Sequence, residues 1–173
     1  PMTQTAAGPV HLRAAGVGLV LDVADGRLPA VLHWGADLGD LTPADLADLA
    51  RAGDPGVAPS SPDEPVRLGL LPEHAGGWSG RPGLHGDRAG RGWSPLFART
   101  ALDVAVDPAG GGRVRATGVD ADAGLELVLE VELLPSGLVR QRASVTSTAE
   151  EPYALGGLAL ALPVPPVATE LFD

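Results

Sequence analysis

Cysteine and lysine are both absent from the 173 residues. Without cysteine the chain forms no disulfide and offers no thiolate nucleophile, and a zinc site would rest on histidine and carboxylates alone. The four histidines, His11, His33, His74 and His85, fall into no HExxH or other tight ligand spacing, so neither a metal nor another cofactor is expected. The 12 basic residues are all arginine and are outnumbered by 22 Asp and Glu, for a net charge of −10. That balance lacks the cationic footprint that nucleic acid or an anionic membrane needs, and neither is expected as a partner. No apolar run approaches the roughly 20 residues of a membrane-spanning helix. No basic segment followed by an apolar one opens the chain, Pro1-Met2-Thr3 reads as a tag remnant, and the expected setting is cytoplasmic. Aromatic residues make up only 3% against 45% hydrophobic residues, so Ala, Val and Leu must build the core.

What is present reads as β-structure. Val10 to Val23 is apolar and β-branched and ends at Asp25-Gly26, a hairpin signal. Leu28 to Trp34 reads as its partner, with Pro29 placing it at an edge or making its start irregular. Thr42-Pro43-Ala44-Asp45 announces a short helix: Thr42 caps, Pro43 suits the first helical position, and Asp45 favours the positive end. The helix stops near Gly53-Asp54-Pro55. A loop rich in Pro, Ser and Asp follows, and Val66 to Leu71 reads as another short strand.

From Leu96 onward the turns are regular. Leu96–Asp107, Arg113–Asp120, Gly124–Leu134, Leu138–Thr148 and Tyr153–Val164 read as five strands of an antiparallel meander. One hairpin is predicted to residue level. In Gly124–Leu134 the odd positions (Leu125, Leu127, Leu129, Val131, Leu133) face a core, and Glu126, Glu130 and Glu132 face water. Pro135-Ser136-Gly137 suits a three-residue loop with glycine in the left-handed position. That register sets Leu134 opposite Leu138, Glu132 opposite Arg140, Glu130 opposite Arg142 and Leu129 opposite Ala143. The glutamate row invites a paired-carboxylate glycosidase reading, but its match with the arginines makes a solvated sheet face the better explanation.

Pro72 to Pro95 is different in kind: seven Gly, two Trp, two His and three Arg, with almost no aliphatic residues. It is expected to lack regular structure, and a loop this long in a compact domain is usually functional or disordered. A tryptophan on a glycine-rich loop presents a flat apolar face on which the C–H face of a sugar stacks, and arginine supplies hydrogen bonds to hydroxyls. Trp78, Arg81 and Trp93 are the candidate substrate-binding residues; the bland alternative is that the tryptophans cover the sandwich edge. Glu73 and His74 are a weak acid/base candidate, since neighbours in a strand point opposite ways. His85 and Asp87 suit a surface hydrogen bond better than a metal site, and Asp120 and Asp122 fit a turn.

Leu71-Pro72-Glu73-His74, Gly77-Trp78-Ser79-Gly80-Arg81-Pro82-Gly83-Leu84, Gly86-Asp87-Arg88 and Trp93-Ser94-Pro95 resemble the N-terminal domain of actinobacterial family 36 α-galactosidases. Leu32-His33-Trp34-Gly35-Ala36-Asp37-Leu38-Gly39 resembles the second strand of that domain and the loop after it. Leu162-Pro163-Val164-Pro165 with Ala168-Thr169-Glu170-Leu171 resembles the junction to the catalytic barrel. The resemblance implies an all-β antiparallel super-sandwich of the galactose-mutarotase type over 1–166, and over 167–173 the start of a linker to a (β/α)8 barrel that carries two catalytic aspartates of a retaining mechanism. Neither aspartate lies in these residues, so the fragment itself is expected to be inactive. It also implies that the loop reaches the sugar pocket, with Trp78 as the first contact and Arg81 second, and that the partners are the domain's own barrel, α-galactoside sugars and, in the full-length form, further copies of the chain. Many family members carry Gly-Asp-aromatic-Arg in this loop; here Trp78 follows Gly77, which favours stacking over a carboxylate contact.

Two other readings compete. A stand-alone carbohydrate-binding module would use Trp78 and Trp93 as a platform. An aldose-epimerase-like enzyme would need His74 or His85 to face a carboxylate across a concave sheet.

Overall fold

The structure is a computed structural model that describes residues 8–24, 26–56, 59 and 66–164. A tight hairpin opens it. Strands β1 (Val10–Ala14) and β2 (Val17–Asp22) pair antiparallel with Ala14 opposite Val17. The stretch expected as one long strand is therefore two. The turn between them is Ala15-Gly16, both in the left-handed region at φ 49° and 78°. Two successive positive φ values make a turn whose twist matches the flanking strands, and Ala-Gly is a weak sequence signal for it. Strand β3 (Ala30–Ala36) pairs with β2 and starts directly after Pro29, at the edge of this three-stranded sheet. Of the expected Asp25-Gly26 turn, Asp25 lies outside the described residues.

Helix α1 (Pro43–Ala52) begins as expected. The Thr42 hydroxyl accepts the Asp45 amide at 3.2 Å, and the Asp45 carboxylate accepts the Thr42 amide at 2.8 Å, a reciprocal cap that satisfies two free donors. The hydroxyl of Thr42 also holds the Asp45 carboxyl below its usual range. Val66–Leu71 does not form a strand. Its ladder contact is one bridge from Gly69 to Ala30, and Arg67 turns away to pair with Asp22 and Asp54.

The meander is built from β5 (Ala98–Val106), β6 (Gly112–Asp120), β7 (Leu125–Leu133) and β8 (Val139–Ser147), in that spatial order. The predicted hairpin register holds throughout: Glu132 faces Arg140, Glu130 faces Arg142 and Leu129 faces Ala143. The Leu134 amide bonds the Leu138 carbonyl at 2.9 Å, and Gly137 takes φ 86°. The fifth strand, β9 (Ala154–Leu158), is shorter than expected and does not extend the meander. It pairs instead with β4 (Leu84–Asp87), which lies inside the stretch expected to have no regular structure. The reason is local. Gly156-Gly157 has no side chains, and the His85 ring occupies the space they leave; a Cβ on Gly156 would sit 2.7 Å from that ring.

Strand β7 alternates buried and half-buried along its whole length and divides the core in two. Leu129, Val131 and Leu133 pack on Leu12, Leu19 and Leu21 of the first sheet. Leu125 and Leu127 pack on Leu71, Leu84 and Phe97 beneath the β4–β9 pair. These leucines are at most 3% exposed, and each contributes about 1.5–3 kcal/mol by leaving water. The second half of the core is what fixes the position of the Gly/Trp-rich segment.

Candidate functional site

Buried Leu71 and Leu84 tether the segment 72–83 at both ends, and a Gly83 amide to Pro72 carbonyl bond of 2.8 Å closes it into a loop. Within the loop His74–Gly76 forms a single 3-10 turn, with Glu73 before it and Gly77 (φ 95°) after it. Glu73 and His74 are thus not neighbours in a strand. Both line one small cleft together with Leu71, Pro72, Pro82, Leu84, Trp93 and Pro95. The space inside is about 10 Å³, room for a water molecule and not for a sugar ring.

The two side chains have different partners. The Glu73 carboxylate accepts the Phe97 amide at 2.8 Å, where β5 is about to begin. Beside it Asp120 accepts the Leu96 amide at 2.7 Å, so two carboxylates hold successive amides. Burial raises the Glu73 carboxyl to about 7, its bond from the Phe97 amide pulling the other way. His74 turns instead to the Gly80 carbonyl, 2.7 Å from its Nε2.

Trp78 is half-buried and folded back on its own loop. Its Nε1 donates to the Arg81 carbonyl at 3.0 Å, and its ring lies so close over Gly80 that a Cβ there would meet it at 2.5 Å. Trp78 and His74 therefore bracket Gly80 and Arg81 from two sides, and the Arg81 side chain is left exposed. Trp93 is 64% exposed at the rim of the Glu73–His74 cleft. Of the three predicted site residues, Trp78 and Arg81 are joined by a hydrogen bond, and Trp93 belongs to the neighbouring cleft.

The remaining candidates resolve into structural roles. His85 lies against Gly156-Gly157, while Asp87 accepts the Gly90 amide at 2.7 Å. Glu132 binds Arg140 and Arg142, and Glu130 lies within ion-pair distance of Arg113 and Arg142. Asp120 takes the Ala123 amide in its turn at 2.8 Å, besides that of Leu96.

Sequence reasoning missed the surroundings of Glu73 and of Arg88. Arg88 is 8% exposed and donates to the Ala123 and Gly124 carbonyls and the Ser147 hydroxyl at 3.0–3.3 Å, with its guanidinium 5.7 Å from the Tyr153 ring centre. It ties the end of β4 to the ends of β7 and β8. Its acceptors are 35 to 59 residues away in sequence, so no local pattern announces them. Among the described residues no three His, Asp or Glu side chains cluster as a metal site would require, and no helix is long and apolar enough to cross a membrane.

Residues 27–173 match the model of the glycosyl hydrolase family 36 N-terminal domain. Over 141 residues the chain is 33% identical to an alpha-galactosidase of Escherichia coli, covering 82% of this chain and 19% of that protein. The fold superposes on the GH36 alpha-galactosidase AgaB of Geobacillus stearothermophilus with a TM-score of 0.67 at 16% identity, covering 92% of this chain and 24% of the other. It superposes on a variant of AgaA from the same organism, solved with 1-deoxygalactonojirimycin, with a TM-score of 0.64 at 18% identity, covering 88% and 24%. The chain thus spans a quarter or less of the length of each relative. The family match covers most of the sequence, including the whole Gly/Trp-rich loop and the meander: the chain belongs to the glycosyl hydrolase family 36 N-terminal domain family.

Proposed function

We propose that this chain is a non-catalytic N-terminal domain of an α-galactosidase that releases terminal α-D-galactose with retention. In this reading a catalytic barrel elsewhere in the protein supplies the reactive carboxylates, the sandwich packs on that barrel, and the loop 72–95 forms one wall of the sugar pocket. The domain also contributes to association between copies of the full-length enzyme, which acts in the cytoplasm. The observation that carries the reading is the preformed presentation of Arg81. The Trp78 indole and the His74 imidazole fasten its backbone and that of Gly80, so the guanidinium projects from a loop already shaped before any partner arrives. Such preorganisation lowers the ordering cost of contacting a ligand. The guanidinium donates to sugar hydroxyls, and the uncovered part of the Trp78 ring and the exposed Trp93 offer apolar faces.

The test separates the domain from the enzyme. The 173-residue chain is expected to leave an aryl α-galactoside intact, while the full-length enzyme cleaves it and loses apparent affinity on Arg81→Ala. Hydrolysis by the pure chain would overturn the reading. Exposure of Trp93 favours one alternative, a module that binds sugar without a barrel. That alternative requires galactoside affinity in the isolated chain that disappears in Trp93→Ala.

A further inference from the structure

Glu73 is a half-buried carboxyl at the root of the loop, and among the described residues it has no cation within ion-pair distance. Among the described residues the charged groups that act on it are few. Asp120, from the end of β6, is a like charge that acts on it and is itself occupied by the Leu96 and Ala123 amides. Arg27, from the β2–β3 connection, acts from beyond contact distance. His74, the next residue, is engaged with Gly80. Pro72, Pro82, Pro95 and Trp93 line the same small cleft. The Glu73 side chain is the polar bond from the loop's 3-10 turn to the meander, reaching 24 residues along the chain to the Phe97 amide. Phe97 itself is 2% exposed and belongs to the core.

We propose that proton uptake by Glu73 fastens the Gly/Trp-rich loop to the start of β5, and that proton loss loosens it. The neutral carboxyl keeps a carbonyl oxygen for the Phe97 amide and sits among the prolines without charge. The ionised carboxylate has Asp120 beside it and little water around it, so it is better solvated with the loop partly lifted. No bond is made or broken; the proton exchanges with solvent. Loop attachment then follows pH across neutrality, where burial places the group's titration.

The proposal needs only the 173-residue chain, and no galactosidase assay enters its test. Amide hydrogen exchange at Phe97, corrected for the intrinsic rate, is measured from pH 5.5 to 8.5, together with the 13C shift of the Glu73 carboxyl. Protection of Phe97 is expected to fall by roughly an order of magnitude over that range, with the carboxyl titrating along it, because the lifted loop carries a near-normal glutamate. Glu73→Gln keeps an acceptor for the amide and removes the proton, so its protection is expected to stay flat. His74→Gln is expected to retain the wild-type slope. Flat protection in the wild type, an unchanged slope in Glu73→Gln, or loss of the slope in His74→Gln would each overturn the proposal. None of these outcomes bears on whether the loop faces a sugar.

Discussion

Glu132 and Arg140 face each other across the β7–β8 hairpin, with Nη2 and the carboxylate 2.6 Å apart. Arg142 reaches the same carboxylate at 3.4 Å and Glu130 at 3.4 Å, and Arg113 adds a third cation from β6. The ladder covers the outer face of the four-stranded sheet. Arg140→Glu sets like charges opposite each other and is expected to cost about 1 kcal/mol in a urea melt, less in high salt. The hydrogen bond from Arg140 holds the Glu132 carboxyl below its usual range. Its contribution is therefore fully present above 4.5 and declines as pH falls through the lowered value. Arg140→Gln is expected to lose that part of the acid dependence.

The inner face of the same strand behaves differently. Leu127 is fully buried and packs in the half of the core that carries the Gly/Trp-rich loop. Leu127→Ala is expected to cost about 2–5 kcal/mol. Arg142→Ala, on the outer face of the adjoining strand, should change the urea midpoint far less. Equal losses for the two would contradict the assigned faces.

This contrast shows why the meander was legible in the sequence. In β7 leucine and glutamate alternate, and Pro135-Ser136-Gly137 fixes the register independently, so turn chemistry and charge pattern agree on one pairing. The capped helix at Thr42 was legible for the same reason: its signals are adjacent residues. Strand β4 was not, because Leu84–Asp87 is too short and glycine-rich to show a period, and its partner β9 lies some 70 residues on. The β1–β2 turn was hidden because alanine occupies a position where Asn or Gly is usual. At the site, the residue types were legible and their partners were not. Glu73 reads as one of two strand neighbours, yet its role depends on the Phe97 amide and on a 3-10 turn.

Among the described residues two turns carry an alanine at positive φ: Ala15 before Gly16, at 49°, and Ala89 before Gly90, at 50°. The left-handed conformation costs a residue with a Cβ roughly 1–2 kcal/mol, and asparagine tolerates it better. Both alanines are exposed. Ala15→Asn and Ala89→Asn are each expected to raise Tm by about 2–4 °C, and their effects should add because the turns are separate.

Glu73→Gln should change stability with a definite sign. Burial raises the folded carboxyl to about 7 from an ordinary value of 4.5. The wild type is therefore most stable relative to the variant below 4.5 and loses stability as pH rises toward 7, beyond which the loss is constant. Urea midpoints at pH 8 are expected to favour Glu73→Gln, by up to the order of 3 kcal/mol, with the gap closing at pH 4.5. A gap that widens on acidification would contradict the burial of this carboxyl.

The most direct measurement is steady-state hydrolysis of an aryl α-galactoside by the isolated chain, by a full-length enzyme containing it, and by the full-length Arg81→Ala and Trp93→Ala variants. We expect no turnover by the isolated chain and a raised KM in both variants, with the fold intact by circular dichroism. Turnover by the isolated chain would place catalysis on the sandwich. Unchanged KM in both variants would remove the loop from the sugar pocket.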